Sequence, residues 1–262
     1  MTSTTPFAAL HHGDAPLLLP NAWDHASASA LAARGFPAVG TTSLGAAAAA
    51  GLPDGSSATR DETLRLALVL GSGPYLLSVD AEDGYSDDPE EVAAFARQLA
   101  AVGAVGVNLE DRLGDPVRHA VKIAAVKAAV PGLFVNARTD THWLGDGSED
   151  PRRRLDAYRE AGADGAFVPG LTDAREIAAL VKDLDVPLNV LHSPAGPGLP
   201  RLAELGVRRV SLGSLLYRVA LGAALDAVGA IAAGRPLAGT VPSYRDVEKL
   251  GRRGDAGHGG VR

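Results

Sequence analysis

Short apolar runs alternate with stretches of helical periodicity along most of this chain. The runs are brief and rich in Val, Leu and Phe, as expected for strands buried on both faces of a parallel sheet. The predicted strands are Leu17–Leu19, Phe36–Thr41, Tyr75–Val79, Val105–Leu109, Leu133–Ala137, Ala163–Val168, Leu188–Leu191 and Arg209–Leu212. This alternation predicts an α/β fold of the (β/α)8 TIM-barrel type. A doubly wound open sheet is the alternative, but no Gly-x-Gly-x-x-Gly motif follows the first strand.

The length of 262 residues suits one large domain better than two small ones. We predict that residues 1–233 form a single barrel domain, which ends in a long apolar helix over Leu215–Ala233. Residues 234–262 are rich in Gly, Pro and Arg, so we predict a C-terminal arm or a partly disordered tail. Thr59 precedes Glu62 by three residues, which predicts a capping box at the start of a helix.

Composition disfavours several classes of protein. The net charge of −6 at pH 7 argues against nucleic acid as a partner. The chain contains no cysteine, which removes disulfides, thiolate zinc sites and cysteine nucleophiles. We see neither a signal-peptide pattern nor an uninterrupted apolar window of membrane-spanning length. We therefore expect a cytoplasmic protein with no membrane partner.

Three carboxylates follow the third predicted strand directly, within the segment Leu76–Tyr85. Asp80, Glu82 and Asp83 fall within four residues of one another. Negative charges this close repel each other unless a proton or a cation lies among them. Carboxylate oxygens favour Mg²⁺ or Mn²⁺ over zinc, so the segment predicts a metal site. A solvated acidic loop is the alternative interpretation.

Polar side chains also follow other predicted strands, and a barrel would bring these strand ends together at one mouth. The residues are Asp24, Thr42, Asp80, Glu82, Glu110, Arg138 and Asn189. Carboxylates beside an arginine indicate a site for a metal ion and an anionic substrate. Two structural alternatives stay open, because Glu110 could cap the next helix and Arg138 could pair with Asp140.

Six segments resemble the isocitrate lyase/phosphoenolpyruvate mutase superfamily, in the order and at the spacing of that family. They are Pro20–Asp24, Gly40–Leu44, Gly51–Gly55, Ser78–Tyr85, Val107–Asp111 and Val135–Arg138. The resemblance extends over about residues 17–220. It implies a (β/α)8 barrel that binds Mg²⁺, or Mn²⁺ in its place, and a small 2-oxo or 2-hydroxy carboxylate.

The resemblance also implies which residues hold the metal. Asp80, Glu82 and Glu110 match the carboxylates that bind the ion in this family, partly through water. Asp54 matches a further carboxylate of the water shell, and it is expected to be one of the catalytic residues.

A second set of positions is implied for the substrate. Arg138 matches the arginine that binds the carboxylate or phosphonate of the substrate, and it is the other expected catalytic residue. Thr42, Ser43 and Leu44 match the loop that holds the substrate carboxylate through hydroxyl and backbone N–H groups. Asp80 is also expected to contact the substrate.

Two departures from the family narrow the expected reaction. Lyases that act on isocitrate or methylisocitrate carry a catalytic cysteine, which this chain lacks. Phosphonomutases and phosphonopyruvate hydrolases carry a longer loop after the fourth strand, where Arg112–Pro116 leads here into the next helix. The resemblance thus implies a Mg²⁺-dependent lyase that cleaves a C–C bond through a metal-stabilised enolate, similar to oxaloacetate decarboxylase. The alternatives are P–C bond chemistry and a non-catalytic ligand-binding barrel.

The proton donor and the assembly state are left open. Arg112, His119 or Lys122 could supply a proton near the short loop. Members of this family commonly form homotetramers by exchanging the last helix, so we expect a homo-oligomer, either a tetramer or a dimer.

Overall fold

The computed structural model describes residues 5–145 and 149–251, which are built around a parallel sheet that closes into a barrel. Its strands are β1 (Leu17–Leu19), β2 (Asn21–Ala22), β3 (Ala38–Thr41), β4 (Leu76–Asp80), β5 (Ala104–Glu110), β6 (Phe134–Arg138), β7 (Gly165–Val168), β8 (Leu188–Leu191) and β9 (Arg209–Ser211). β1 pairs with β9 and β2 pairs with β3, so the two ends of the sheet meet at one segment. Pro20, which has no N–H, separates β1 from β2 within a single barrel strand. The predicted (β/α)8 barrel is confirmed.

Most of the helices connect successive strands on the outside of the barrel, whereas α1 precedes the first strand and α10 and α11 follow the last. They are α1 (Pro6–Ala9), α2 (His25–Ala33), α3 (Ser43–Ala50), α4 (Arg60–Leu70), α5 (Pro89–Ala101), α6 (Pro116–Ala129), α7 (Arg152–Glu160), α8 (Ala174–Asp183), α9 (Leu199–Glu204), α10 (Leu215–Ala232) and α11 (Tyr244–Leu250). Asp88 and Asp115 cap α5 and α6, each followed by a proline at the first helical position. These caps are strong local signals for the start of a helix.

The predicted capping box at Thr59 is wrong. α4 does begin at Arg60, but the Thr59 side chain makes no capping hydrogen bond. Its buried hydroxyl instead donates to the carboxylate of Glu82, which lies 23 residues further along the chain. A charged acceptor forms the stronger hydrogen bond, so the tertiary partner is preferred over the local one.

Part of the predicted C-terminal tail has regular structure. Within residues 234–251 the chain forms α11, which lies near α2 and is capped by Ser243. Residues 252–262 lie outside the described residues, so the prediction of a partly disordered tail is not tested there.

The inside of the barrel is layered from apolar to polar. Phe7, Leu17, Leu19, Ala38 and Phe134 form a separate apolar cluster in which α1 packs against the strands. Other inward side chains of β5, β6, β8 and β9 are polar, and they include Asn108, Asn136, Asn189, Arg209 and Ser211. The larger apolar core lies between the sheet and the surrounding helices.

The long helix α10 is the part of the described chain that comes nearest to a membrane-spanning segment. Its 18 residues have a mean hydropathy of 1.6, so by length and composition alone it could cross a membrane. Only 6% of the helix is buried, and Leu225, Val228 and Ile231 are exposed. Arg218 and Asp226 interrupt the apolar stretch. An apolar face of this size is typical of a surface that another element covers.

Candidate active site

A cavity of about 340 Å³ opens at the carboxyl ends of the strands. All the residues predicted for the metal and the substrate line it, namely Thr42, Ser43, Leu44, Asp54, Asp80, Glu82, Glu110 and Arg138. They come from four different strand ends and one loop, as expected for a site in this type of barrel. The structure therefore brings the predicted residues together, and their individual roles remain predictions.

On one side of the cavity, the start of α3 contacts Asp80. Thr42 has an extended backbone and caps α3, because its hydroxyl accepts a hydrogen bond from the Gly45 N–H at 3.4 Å. The backbone N–H of Ser43 donates to Oδ2 of Asp80 at 3.3 Å. The amino end of a helix favours a negative charge, so this position holds a carboxylate group well.

Glu82 is held in a fixed position beside Asp80. Its carboxylate accepts hydrogen bonds from the Thr59 hydroxyl and from the Ser57 N–H, the latter at 3.3 Å. Its backbone has φ of 46°, in the left-handed region that a non-glycine residue rarely adopts. Burial raises the pKa of Glu82, although these two hydrogen bonds oppose the shift. Strained residues of this kind cluster at functional sites, which supports a role for Glu82.

Arg138 lies between two carboxylates. Its Nε donates to Oδ1 of Asp140 at 2.6 Å, and its Nη1 lies 2.8 Å from Oε2 of Glu110. The predicted alternative, a structural pair with Asp140, is thus present together with the cavity position. Burial raises the pKa of Glu110 to about 8, even though the Arg138 charge opposes that shift. Buried acids this close together resist full ionisation unless a cation shares their charge.

Asp54 reaches the cavity from the loop that follows α3. Burial raises the pKa of its carboxyl, a hydrogen bond from the Ser43 side chain lowers it, and the charge of Asp80 raises it again. Asp54 and Asp80 are thus close enough to repel each other, which fits a shared cation between acids.

The donor set of the cavity fits a hydrated Mg²⁺ ion. The available groups are carboxylate and hydroxyl oxygens, which are the ligands that Mg²⁺ and Mn²⁺ prefer. Across residues 5–145 and 149–251, no three His, Cys, Asp or Glu side chains are close enough together to hold an ion directly. Mg²⁺ usually keeps several water ligands and binds through one or two carboxylates, so this arrangement suits an ion held partly through water.

Some predicted residues lie elsewhere. Asp24 does not line this cavity, since its side chain accepts from Ser27 and caps α2. Asn189 lies below the cavity and bonds to Ser211. His119 and Lys122 line a separate cavity of about 470 Å³, whereas Arg112 lines both. Of the three candidate proton donors, Arg112 is thus the one placed at the active-site cavity.

The sequence interpretation missed several lining residues. Asn108 lies in the middle of β5 between two apolar residues, and a polar residue inside an apolar strand was a usable signal. Trp143 and Leu144 line the rim and are 54% and 59% exposed, in a loop that carried no motif. His192 also lines the cavity.

Comparison with known proteins gives a consistent result. Residues 7–232 match the family described as phosphoenolpyruvate phosphomutase. An uncharacterised protein of Mycobacterium tuberculosis, Rv1998c, is 45% identical over 90% of this chain and 92% of its own length. Oxaloacetate decarboxylase of Pseudomonas fluorescens is 30% identical over 68% of this chain and 66% of its own length. A solved structure from Burkholderia cenocepacia, described as a lyase or mutase, has 36% identity and a TM-score of 0.82 over 93% of each chain.

Proposed function

The chain belongs to the phosphoenolpyruvate phosphomutase family, and on that basis we propose that it is a Mg²⁺-dependent lyase. The proposed substrate is a small 2-oxo or 2-hydroxy carboxylate. As in oxaloacetate decarboxylation, the proposed reaction cleaves the C–C bond one carbon beyond the carbonyl, so that CO2 leaves and the enolate of pyruvate remains and is then protonated.

One observation carries this proposal. Two groups of donors within the same cavity, the Ser43 N–H and the Arg138 guanidinium, already hold carboxylate oxygens of the protein. Their geometry is therefore suited to a carboxylate ligand. The acidic side chains beside them provide oxygen ligands for the cation that such a substrate would share.

The cavity residues would bind the substrate and stabilise the charge that develops during the reaction. The α3 amino end and Thr42 orient one carboxylate of the substrate, and Arg138 holds a second oxyanion through its planar, directional donors. Cleavage of the C–C bond leaves an enolate, whose negative charge fixed donors stabilise better than mobile water does. When bound, Mg²⁺ supplies Lewis-acid stabilisation of the same charge. The carboxylates serve the ion, and none is assigned as a nucleophile.

The loop after β5 favours C–C over P–C chemistry. Residues 111–115 are all that separate β5 from α6, and Arg112 is the member of this loop that lines the cavity. So short a loop gives little cover from water, which P–C chemistry through a phosphoryl intermediate would require. The name of the Pseudomonas relative indicates that it acts on oxaloacetate, which supports the same choice.

A substrate panel tests the proposal. The purified chain is assayed with oxaloacetate, phosphonopyruvate, methylisocitrate and dimethylmalate, each with Mg²⁺, with Mn²⁺ and with EDTA. We expect metal-dependent release of pyruvate from oxaloacetate. Phosphate release from phosphonopyruvate would favour P–C chemistry instead. A chain that binds Mg²⁺ but turns over none of the four compounds would favour a ligand-binding role.

We also propose that the exposed face of α10 is covered by a second copy of this chain in a dimer or tetramer. Leu225, Val228 and Ile231 form an apolar surface, and Asp226 within the helix would be costly to place in lipid. A protein partner is therefore favoured over a membrane. The lack of cysteine suits a reducing compartment, which supports a cytoplasmic location.

A further inference from the structure

Asn108 presents one defined end of its amide to the cavity. Its Oδ1 accepts hydrogen bonds from Nδ2 of Asn136 at 2.9 Å and from Nη2 of Arg209 at 3.2 Å. An arginine can only donate, so the atom that it contacts must be the amide oxygen. Asn136 and Arg209 do not line the cavity, whereas Asn108 does. The Nδ2 group, which has no partner among the described residues, is therefore the end left for a ligand.

Arg209 is an unusual neighbour for this amide. It is 1% exposed and lies in the barrel interior, where its Nε donates to the Ser211 hydroxyl at 3.0 Å. Among the described residues its Nη1 has no hydrogen-bond partner, and the charge of Asp80 acts on the guanidinium from beyond ion-pair distance. Burial lowers the pKa of Arg209 to about 9, which still leaves the group charged at neutral pH. Burying a charge with no carboxylate in direct contact costs free energy, and the attraction of Asp80 offsets only part of that cost here.

We propose that Asn108 is a substrate-binding residue whose Nδ2 donates to an oxygen of the bound carboxylate, and that Arg209 is the residue that positions it. The buried charge fixes which end of the amide faces the cavity. It also polarises the amide, because hydrogen bonds in a chain strengthen one another in a low-dielectric interior. This inference rests on the proposed function, since it adds a donor at the floor of the same cavity.

The decisive variant is Asn108→Asp, because Asp has nearly the same shape but no donor. Its carboxylate would face Arg209 and give that charge a counter-ion, so we expect a folded protein that unfolds at or above the wild-type temperature. With Mg²⁺ present, we expect its Kd for oxalate, a planar mimic of the enolate, to rise at least about tenfold, the usual effect of losing a hydrogen bond to a charged group. Calorimetric titration measures this binding without any turnover.

Asn189→Asp is the matched control. Asn189 is buried in the same polar layer and bonds to Ser211, but it does not line the cavity. The variant adds the same charge near Arg209 without removing a cavity donor, and its Kd for oxalate should stay within about threefold of wild type. Should Asn189→Asp weaken oxalate as much as Asn108→Asp, charge alone would explain the loss and the inference would be wrong.

Further variants separate the two roles and keep the test open if Asn108→Asp does not fold. Asn108→Ala removes the donor without adding a charge, so it should also weaken oxalate binding. Arg209→Met should weaken oxalate binding and Arg209→Lys should restore part of the affinity. Mg²⁺ binding measured alone should not weaken in either variant, because removing the positive charge that acts on Asp80 favours a cation there. Wild-type oxalate affinity in Asn108→Ala would overturn the role of Asn108. If the wild-type chain itself neither binds oxalate nor turns over the panel, the proposed function fails instead.

Discussion

Acidification should destabilise this protein through His11, which packs against the apolar cluster of Phe7 and Phe134 inside the barrel. The imidazole is 2% exposed, stacks on Phe134 at a centroid distance of 4.4 Å and donates from Nδ1 to the Phe7 carbonyl at 3.0 Å. Burial, helped by the charge of Arg209, lowers the pKa of His11 from 6.5 to about 3. The folded protein thus keeps this histidine neutral at a pH where the unfolded chain protonates it.

The magnitude follows from the difference in proton binding. Between pH 6.5 and about 3 the unfolded chain binds a proton at this site and the folded chain does not, so stability falls as the pH falls. At pH 5 the solution is 1.5 units below the unfolded pKa, and each unit is worth about 1.36 kcal/mol. His11 should therefore cost the folded state about 2 kcal/mol at pH 5, and almost nothing at pH 7.

Urea unfolding at pH 7 and at pH 5 measures this cost, at one protein concentration because association would shift stability. His11→Phe keeps an aromatic ring in the apolar cluster but removes the titrating group. The wild-type chain should lose about 2 kcal/mol more than this variant between the two pH values. The variant will also lose the hydrogen bond to Phe7 at both pH values, and that constant loss cancels in the comparison.

His12→Gln provides the control, because His12 is the adjacent residue and is exposed. Its pH dependence should match that of the wild type. The reasoning would be refuted if His11→Phe lost as much stability as the wild type on acidification, since the buried imidazole would then carry none of the effect.

Three further predictions concern the site and the assembly. Arg138→Lys should raise KM for oxaloacetate about tenfold or more, because a single ammonium cannot replace the fork that spans Glu110 and Asp140; unchanged steady-state kinetics would contradict this. Glu82→Ala should abolish metal-dependent turnover and lower the free energy of unfolding by about 1–3 kcal/mol, because the buried Thr59 hydroxyl loses its acceptor; turnover that persists in EDTA would count against it. Leu225→Glu should reduce the oligomer mass seen by light scattering, whereas Leu68→Glu, at an equally exposed site on α4, should not; equal masses for both would remove α10 from the interface.

The sequence could predict the barrel because its signals are local. Each strand is a short apolar run, each helix has its own periodicity, and caps such as Asp88 and Asp115 mark where helices begin. A parallel barrel then places every strand end at the same mouth, so the acids after β4 and β5 and the arginine at the end of β6 could be expected in one cavity. Asp24 also follows a strand, but its side chain caps α2 and does not line the cavity.

Only the tertiary structure decided which side chains pair. The Thr59 hydroxyl bonds to Glu82 and does not cap α4. Arg209 contacts Asn108, which is 101 residues away in the sequence. Such pairs depend on the register of neighbouring strands and on how the closed barrel stacks its inward side chains. No short segment of the sequence determines either of these properties. The sequence alone therefore determined the fold and the composition of the mouth, while barrel closure determined the polar layer beneath it and the buried charge of Arg209 within that layer.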